Sequence, residues 1–218
     1  MSYELPLFPL HTVLFPGMPL ALQVFEPRYL RMLNHCIEDR QPFGVVLIRR
    51  GSEALGPLAE PYMVGCTARV LRIERKLLGR MNIIAVGGER FEIETLTERD
   101  DYLVGAVRQF GLTPTTVPNI DMQASQLRPW MQLYIDLLRD AEVLQDVPLD
   151  LPPDPVELAF MGAFLLQISA HQKQALLELE SSAEILQEVQ YYFRREVALA
   201  RHLLAAAESV AGGTGQLN

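Results

Sequence analysis

Leu5-Pro6-Leu7-Phe8-Pro9-Leu10, Val13-Leu14-Phe15-Pro16-Gly17 and Leu20-Ala21-Leu22-Gln23-Val24-Phe25 decide how this chain is read. No charged residue occurs from Leu5 to Phe25, a stretch that a hydropathy window would score as a membrane span. Pro6, Pro9, Pro16 and Pro19, with Gly17, break any helix that would satisfy its own backbone in lipid. Short apolar runs punctuated by Pro and Gly are instead the mark of β-strands. The segment is therefore expected to form strands, with no membrane span. MSYELPLFPL also lacks the basic stretch of a secretory signal, so the expected location is cytoplasmic.

The same signature continues outward. Phe43–Ile48, Gly65–Ile73, Met81–Val86, Phe91–Leu96 and Tyr102–Phe110 predict further strands, whose spacing and β-branched content suit a small barrel or sandwich. Leu77-Leu78-Gly79-Arg80 reads as a hairpin connection in which Gly79 supplies a positive φ. Gly87-Gly88 reads as a turn between two strands. One helix interrupts the series. Pro27 suits the first helical position, Glu26 places negative charge at the positive end of the helix dipole, and Tyr29, Leu30, Leu33, Cys36 and Ile37 form one apolar face.

The period changes at Thr113-Pro114-Thr115-Thr116-Val117-Pro118. Asp121 is expected to cap a helical run through Leu127, Trp130, Leu133, Leu137, Leu138 and Leu144, kinked or split at Pro129. Val147–Pro155 carries four prolines and reads as an extended connector. Asp154-Pro155-Val156-Glu157 has the spacing of a capping box, repeated by Ser169 with Gln172 and by Ser181 with Glu184, so three helices follow. The expected organisation is a β-rich domain at 1–117, an α-helical bundle at 118–210 and a flexible tail at 211–218: an α+β fold with one helix inside its β part.

The chain has 218 residues, 24.6 kDa and a formal charge of −8, with 49% hydrophobic and 21% charged residues, an ordinary globular composition. Residues 1–117 hold 13 basic and 13 acidic side chains, whereas 118–218 hold 6 against 14. An acidic second half disfavours nucleic acid, which selects a basic face. RNA binding stays open only as a local arginine patch made of Arg49, Arg50, Arg69, Arg72 and Arg75.

Motifs for chemistry are missing. There is no G-x-x-x-x-G-K-[ST], G-x-S-x-G, H-E-x-x-H or C-x-x-C. Cys36 and Cys66 lack a second cysteine at zinc-ligand spacing and read as buried hydrophobes. His11, His35, His171 and His202 are scattered, and Asp100-Asp101 reads as a solvated turn. Ser169 and Lys173 stand four apart, as a serine–lysine dyad would. Ser169, however, is needed as a helix cap, and Lys173 lies in the polar run His171-Gln172-Lys173-Gln174. An enzyme remains only if titratable side chains converge in a pocket. No catalytic residue, metal or cofactor is expected. The densest mixed cluster is Phe25-Glu26-Pro27-Arg28-Tyr29, read either as a rim holding peptide or as a structural pin.

Leu5–Leu10, Val13–Gly17 and Phe25-Glu26-Pro27-Arg28-Tyr29-Leu30, in this order, resemble the N-terminal substrate-recognition domain of Lon proteases. Phe43–Arg49, Val64–Val70 and Gly88-Glu89-Arg90-Phe91 extend the resemblance, and Gln174-Ala175-Leu176-Leu177-Glu178 carries it into the helices. The resemblance implies a small twisted β-barrel-like domain of the PUA-like type, followed by a helical bundle. It implies a free-standing, non-catalytic module that binds unfolded polypeptide or a protein partner, with RNA binding as the alternative. The ATPase and serine–lysine peptidase modules of the protease are missing, as is the cysteine-rich zinc module of cereblon-type relatives. Phe15, Phe25, Glu26, Arg28, Tyr29 and Arg49 are the candidate peptide contacts; oligomeric state is left open.

Overall fold

The structure, a computed structural model, describes residues 2–53, 58–113, 120–141, 143 and 149–213. Its elements are β1 (Tyr3–Leu10), β2 (Pro19–Val24), α1 (Pro27–Glu38), β3 (Phe43–Arg50), β4 (Glu60–Pro61), β5 (Val64–Arg75), β6 (Met81–Arg99), β7 (Tyr102–Gln109), α2 (Ile120–Asp140), α3 (Pro155–Leu165), α4 (Ala170–Glu178) and α5 (Ser182–Gly213). The seven strands share one sheet in the order β1-β7-β6-β5-β3-β4. A short parallel ladder, Leu7↔Gly44 to Leu10↔Leu47, joins β1 back to β3, while β2 attaches to β6 off this path. The result is a twisted sheet that curls back on itself, with a helical part beside it.

Strand residues pack on both sides of the sheet. Leu5 and Leu7 join Phe91, Ile93 and Val107 in one cluster, whereas Phe8 and Leu10 lie with Tyr29, Met32, Leu33 and Cys36 of α1 in another. The curl is tight enough that a Cβ at Gly65 would sit 2.5 Å from the Val45 carbonyl oxygen and 2.6 Å from the Phe91 ring. Gly87 and Gly88, expected to turn, lie inside one continuous β6 that unites the two predicted strands. A Cβ at Gly87 would stand 2.1 Å from the Phe15 carbonyl oxygen, so the glycine is needed for close approach rather than reversal. Leu77–Gly79 does reverse the chain, as one 3-10 turn with Gly79 at φ +72°. Asp100 and Asp101, at φ +53° and +67°, form the β6–β7 turn.

In the helical part, α2 is unbroken from Ile120 to Asp140 although it contains Pro129. Asp154 Oδ1 accepts from the Val156 and Glu157 amides at 2.9 Å, and Ser169 with Gln172 forms a complete capping box. The expected boundary at 114–118, Leu144 and residues 214–218 of the expected tail lie outside the described residues, while α5 extends to Gly213.

One apolar cluster runs through both parts. Val13, Phe15, Leu47 and Val64 from the β side pack with Leu127, Met131, Leu158, Phe160, Val189 and Phe193. Two buried polar side chains cross the same seam. Arg90 of β6, 4% exposed, donates to the Leu177 and Leu179 carbonyls at 2.7 and 2.5 Å and lies 4.7 Å from the Phe110 ring centroid. Gln174 donates from Nε2 to the Val64 carbonyl at 2.9 Å.

Truncating Arg90 strands both carbonyls without a donor and opens a hole between sheet and helices. Arg90→Ala is expected to cost about 2–4 kcal/mol in urea unfolding. Arg108→Ala, which removes an exposed pair to Glu92 and Glu94, is expected to cost under about 1 kcal/mol. Equal effects would show that Arg90 does not hold the seam.

Candidate functional site

Among the described residues β2 pairs only with β6, from Pro19↔Val86 to Val24↔Met81, and no strand covers its other edge. In an antiparallel ladder every second residue turns its N–H and C=O away from the partner, so the outer edge of β2 presents unpaired backbone groups. Beside it lies a hollow of about 210 Å³ lined by Phe8, Leu10, Leu22, Phe25, Glu26 and Tyr29 among others. A second hollow of about 460 Å³ crosses the face of β2, β6 and β5 and includes Leu22, Arg72, Ile83 and Ile84. Phe25, at the end of β2, is 54% exposed. An edge strand flanked by apolar hollows suits an extended chain: backbone bonding gives affinity and the hollows take alternate side chains.

The candidate contacts sort by exposure. Phe25 stands free at the rim. Tyr29, on the first turn of α1, is buried, stacked on Phe8 at 4.2 Å between centroids. Glu26 and Arg28 are mostly buried and pair with each other, at 3.0 Å from Nη2 and 3.1 Å from Nε to the same carboxylate oxygen. The Arg28 guanidinium lies 4.8 Å from the Tyr29 ring centroid. Glu26 and Tyr29 line the hollow, while Arg28 lies outside it and pairs with Glu26 at the start of α1. Phe15 is fully buried with its ring 6.3 Å from that of Phe160, which leaves it no surface to offer a peptide. Arg49 does not line the hollow and pairs with Glu60 of β4 at 3.4 Å.

The five arginines of the RNA patch do not converge. The β3–β5 register is antiparallel from Phe43↔Ala68, so Arg49 and Arg50 continue β3 in one direction while Arg69, Arg72 and Arg75 continue β5 in the other. Strand direction places them at two separate ends of the β3–β5 pair.

The groups with chemical potential are otherwise engaged. Ser169 Oγ accepts from the Gln172 amide at 3.2 Å, and Lys173 Nζ donates to the Phe164 carbonyl at 2.8 Å; the bond between Ser169 and Lys173 is the helical backbone one, from the Lys173 amide to the Ser169 carbonyl at 3.0 Å, and it does not involve the hydroxyl or the ammonium. Burial holds the Lys173 ammonium below the usual lysine range, but its proton is committed to a helix-end carbonyl. Burial pushes the Cys36 thiol up to about 11 and the Cys66 thiol up to about 12. The His171 ring and the Tyr62 hydroxyl are hydrogen-bonded at 3.0 Å. Among the described residues no group of three or more His, Cys, Asp or Glu side chains could hold a metal ion, and no helix is long and apolar enough to cross a membrane.

Comparison with known proteins bears on this site. Residues 4–195 match the family model of the ATP-dependent protease La (Lon) substrate-binding domain. Lon protease 2 of Syntrophobacter fumaroxidans is 25% identical over 201 residues, covering 89% of this chain and 25% of that protein. Lon protease 2 of Myxococcus xanthus is 27% identical over 180 residues, covering 80% of this chain and 21% of that protein. The chain thus spans about a quarter of the length of these relatives. The crystal structure of a Lon N-terminal domain protein from Xanthomonas campestris superposes with a TM-score of 0.62 at 26% identity, over 86% of this chain and 96% of that one. The N-terminal domain of the Mycobacterium avium complex Lon protease, at 16% identity, shares the fold with a TM-score of 0.61, over 88% of this chain and 98% of that one. These matches fall on the substrate-binding part of the protease and not on its catalytic part.

With folded-state thiol pKa values above the unfolded ones, both cysteines stay protonated when native at pH 8 and become more acidic on unfolding. A disulfide reagent at pH 8 is expected to label neither thiol in buffer and both in denaturant. Prompt labelling of either in the native protein would reveal an activated nucleophile.

Proposed function

This chain belongs to the family of Lon substrate-binding domains, and from that premise we propose that it is a non-catalytic module that binds unfolded polypeptide. The observation that carries the proposal is the open edge of β2 beside the hollow under Phe25. An unfolded chain meets there the two things it carries everywhere, unpaired backbone amides and intermittent apolar side chains. Recognition of that kind is broad in sequence, which suits a substrate-binding domain. In this reading Phe25 is the direct contact, Glu26, Arg28 and Tyr29 are its support, and Phe15 and Arg49 stand outside the docking surface. The division into a β-rich unit at 1–117 and a helical unit at 118–210 is kept within the proposal as two structural parts serving one surface, with the continuous core as its support.

No step of bond making or breaking belongs to this function. Ser169 serves as a helix cap, Lys173 is tied to a carbonyl, and the thiols are held in the unreactive form. Arg49 and Arg50 lie at the opposite end of the β3–β5 pair from Arg69, Arg72 and Arg75, which favours polypeptide over RNA in this reading.

Reduced, carbamidomethylated α-lactalbumin, which stays unfolded, is the probe. Fluorescence anisotropy is expected to show saturable binding, and Phe25→Ala is expected to weaken it about three- to tenfold, the loss of one exposed aromatic anchor. Because Phe25 is half exposed, its truncation should leave the thermal midpoint unchanged. Absence of binding by the wild-type chain at high micromolar concentration would contradict the proposal.

A further inference from the structure

The far end of α1 carries a second arrangement. Its last turn closes as a Schellman motif: the Arg40 amide donates to the Ile37 carbonyl at 3.3 Å and the Gln41 amide to the Cys36 carbonyl at 2.9 Å. The residue at the left-handed position of such a cap is ordinarily glycine, because a Cβ costs energy there. Here it is Arg40, at φ +55°. A strained residue held at a site where the strain-free one is available invites a search for what its side chain does.

Arg40 lines two hollows at once, and so does Arg69 of β5. The first hollow, about 240 Å³, is walled by Ile37, Leu71 and Ile73; the second, about 400 Å³, by Tyr3, Thr67, Gly88 and Glu89. Both hollows are made by interruptions of the β5–β6 ladder on either side of Arg69. The register skips Leu71 between Val70↔Ala85 and Arg72↔Ile84, and Leu71 stands 64% exposed. It slips again between Cys66↔Arg90 and Ala68↔Gly87, where Thr67 Oγ1 accepts from the Glu89 amide at 2.9 Å. Bulges re-aim side chains, and here two of them frame one arginine. Both Arg40 and Arg69 are exposed, and neither has an ion-pair partner among the described residues. Glu89 lines the second hollow and pairs with neither. Two guanidiniums without an ion-pair partner among the described residues, where two mixed hollows adjoin and Ile37, Leu71 and Ile73 give one of them an aliphatic wall, are complementary to a carboxylate next to an aliphatic group.

We propose that Arg40 and Arg69 form a carboxylate-reading site for polypeptide: an aliphatic side chain enters the hollow beside Leu71 and Ile73 while a neighbouring Asp or Glu side chain is held by the two guanidiniums. The hollows adjoin on both sides of the arginine pair, which suits an internal segment passing through. The inference rests on the polypeptide-binding reading and adds a sequence preference to it, for acidic residues one or two positions from aliphatic ones. It also explains why α1 ends on Arg40: the cap gives up stability to aim a cation.

The test uses the full chain and three fluorescein-labelled probes: a capped peptide of alternating Leu and Asp, its Leu and Asn counterpart, and single-stranded oligouridine. The wild-type chain is expected to prefer the Asp peptide. Arg40→Gly and Arg69→Gln are each expected to weaken that peptide about five- to tenfold and to leave the Asn peptide unchanged. Arg40→Gly should at the same time keep or raise the melting midpoint, by up to about 2–4 °C, since glycine relieves the left-handed cap. Equal affinity for the Asp and Asn peptides, unchanged binding by Arg40→Gly, or arginine-dependent binding of oligouridine without binding of the Asp peptide would overturn the proposal. Unfolded α-lactalbumin separates the two levels. If it binds while the Asp preference is absent, the carboxylate site alone fails; if the wild-type chain binds neither it nor the Asp peptide, both readings fail.

Discussion

A buried guanidinium crosses the seam between sheet and helices, beside the apolar cluster the two parts share and the Gln174 bond to Val64. Arg90 reaches from β6 to the carbonyls of Leu177 and Leu179 at the end of α4, where the helix dipole is negative, and its face lies against Phe110 and, at 5.7 Å, Phe160. Taking such a charge out of water is expensive, and burial pulls its pKa down to about 10, still high enough for the group to be charged at neutral pH. The cost is offset only if the carbonyls and rings stay where they are, so Arg90 fixes the angle at which α4 meets the sheet. Phe15, Leu47 and Val64 then find the apolar surfaces of α2, α3 and α5, and the sheet gains a rigid backing. A sheet backed in this way can leave the outer edge of β2 open while β2 keeps its register with β6.

Among the hollows described, one lies at the start of α1 and two at its end. Glu26, Arg28 and Tyr29 set its beginning beside the β2 edge, and Arg40 sets its end beside Arg69. Twelve helical residues span about 18 Å, roughly the reach of five or six extended residues. One opening has a strand with a single open edge, and the other has two bulges and a left-handed arginine.

Local signals carried the fold a long way. Proline and glycine punctuation marked the strands, Pro27 opened α1, and Ser169 with Gln172 stood where the capping box forms. What failed were features set by distant neighbours. Gly87-Gly88 has the look of a turn, but Phe15 lying across Gly87 explains it, and that contact spans most of the β part. Of the two outcomes expected at Pro129, a kink or a split, the split does not occur, since α2 is unbroken. Phe15 belongs to the motif that marks the family and reads as a contact, yet it is consumed by the seam. Arg90 was legible only as part of a Gly-Glu-Arg-Phe motif; its carbonyl partners lie nearly ninety residues away, beyond any periodicity. Arg40 carried no signal at all, because a helix end followed by a non-glycine gives no warning of a positive φ.

Hydrogen–deuterium exchange of the full chain with and without unfolded α-lactalbumin tests the central claim most directly, since backbone pairing at an open edge must slow exchange there. The account predicts new protection of amides within residues 19–25, with the helices α2 to α5 unchanged. Protection confined to the helices, or none at β2 under saturating polypeptide, would contradict it.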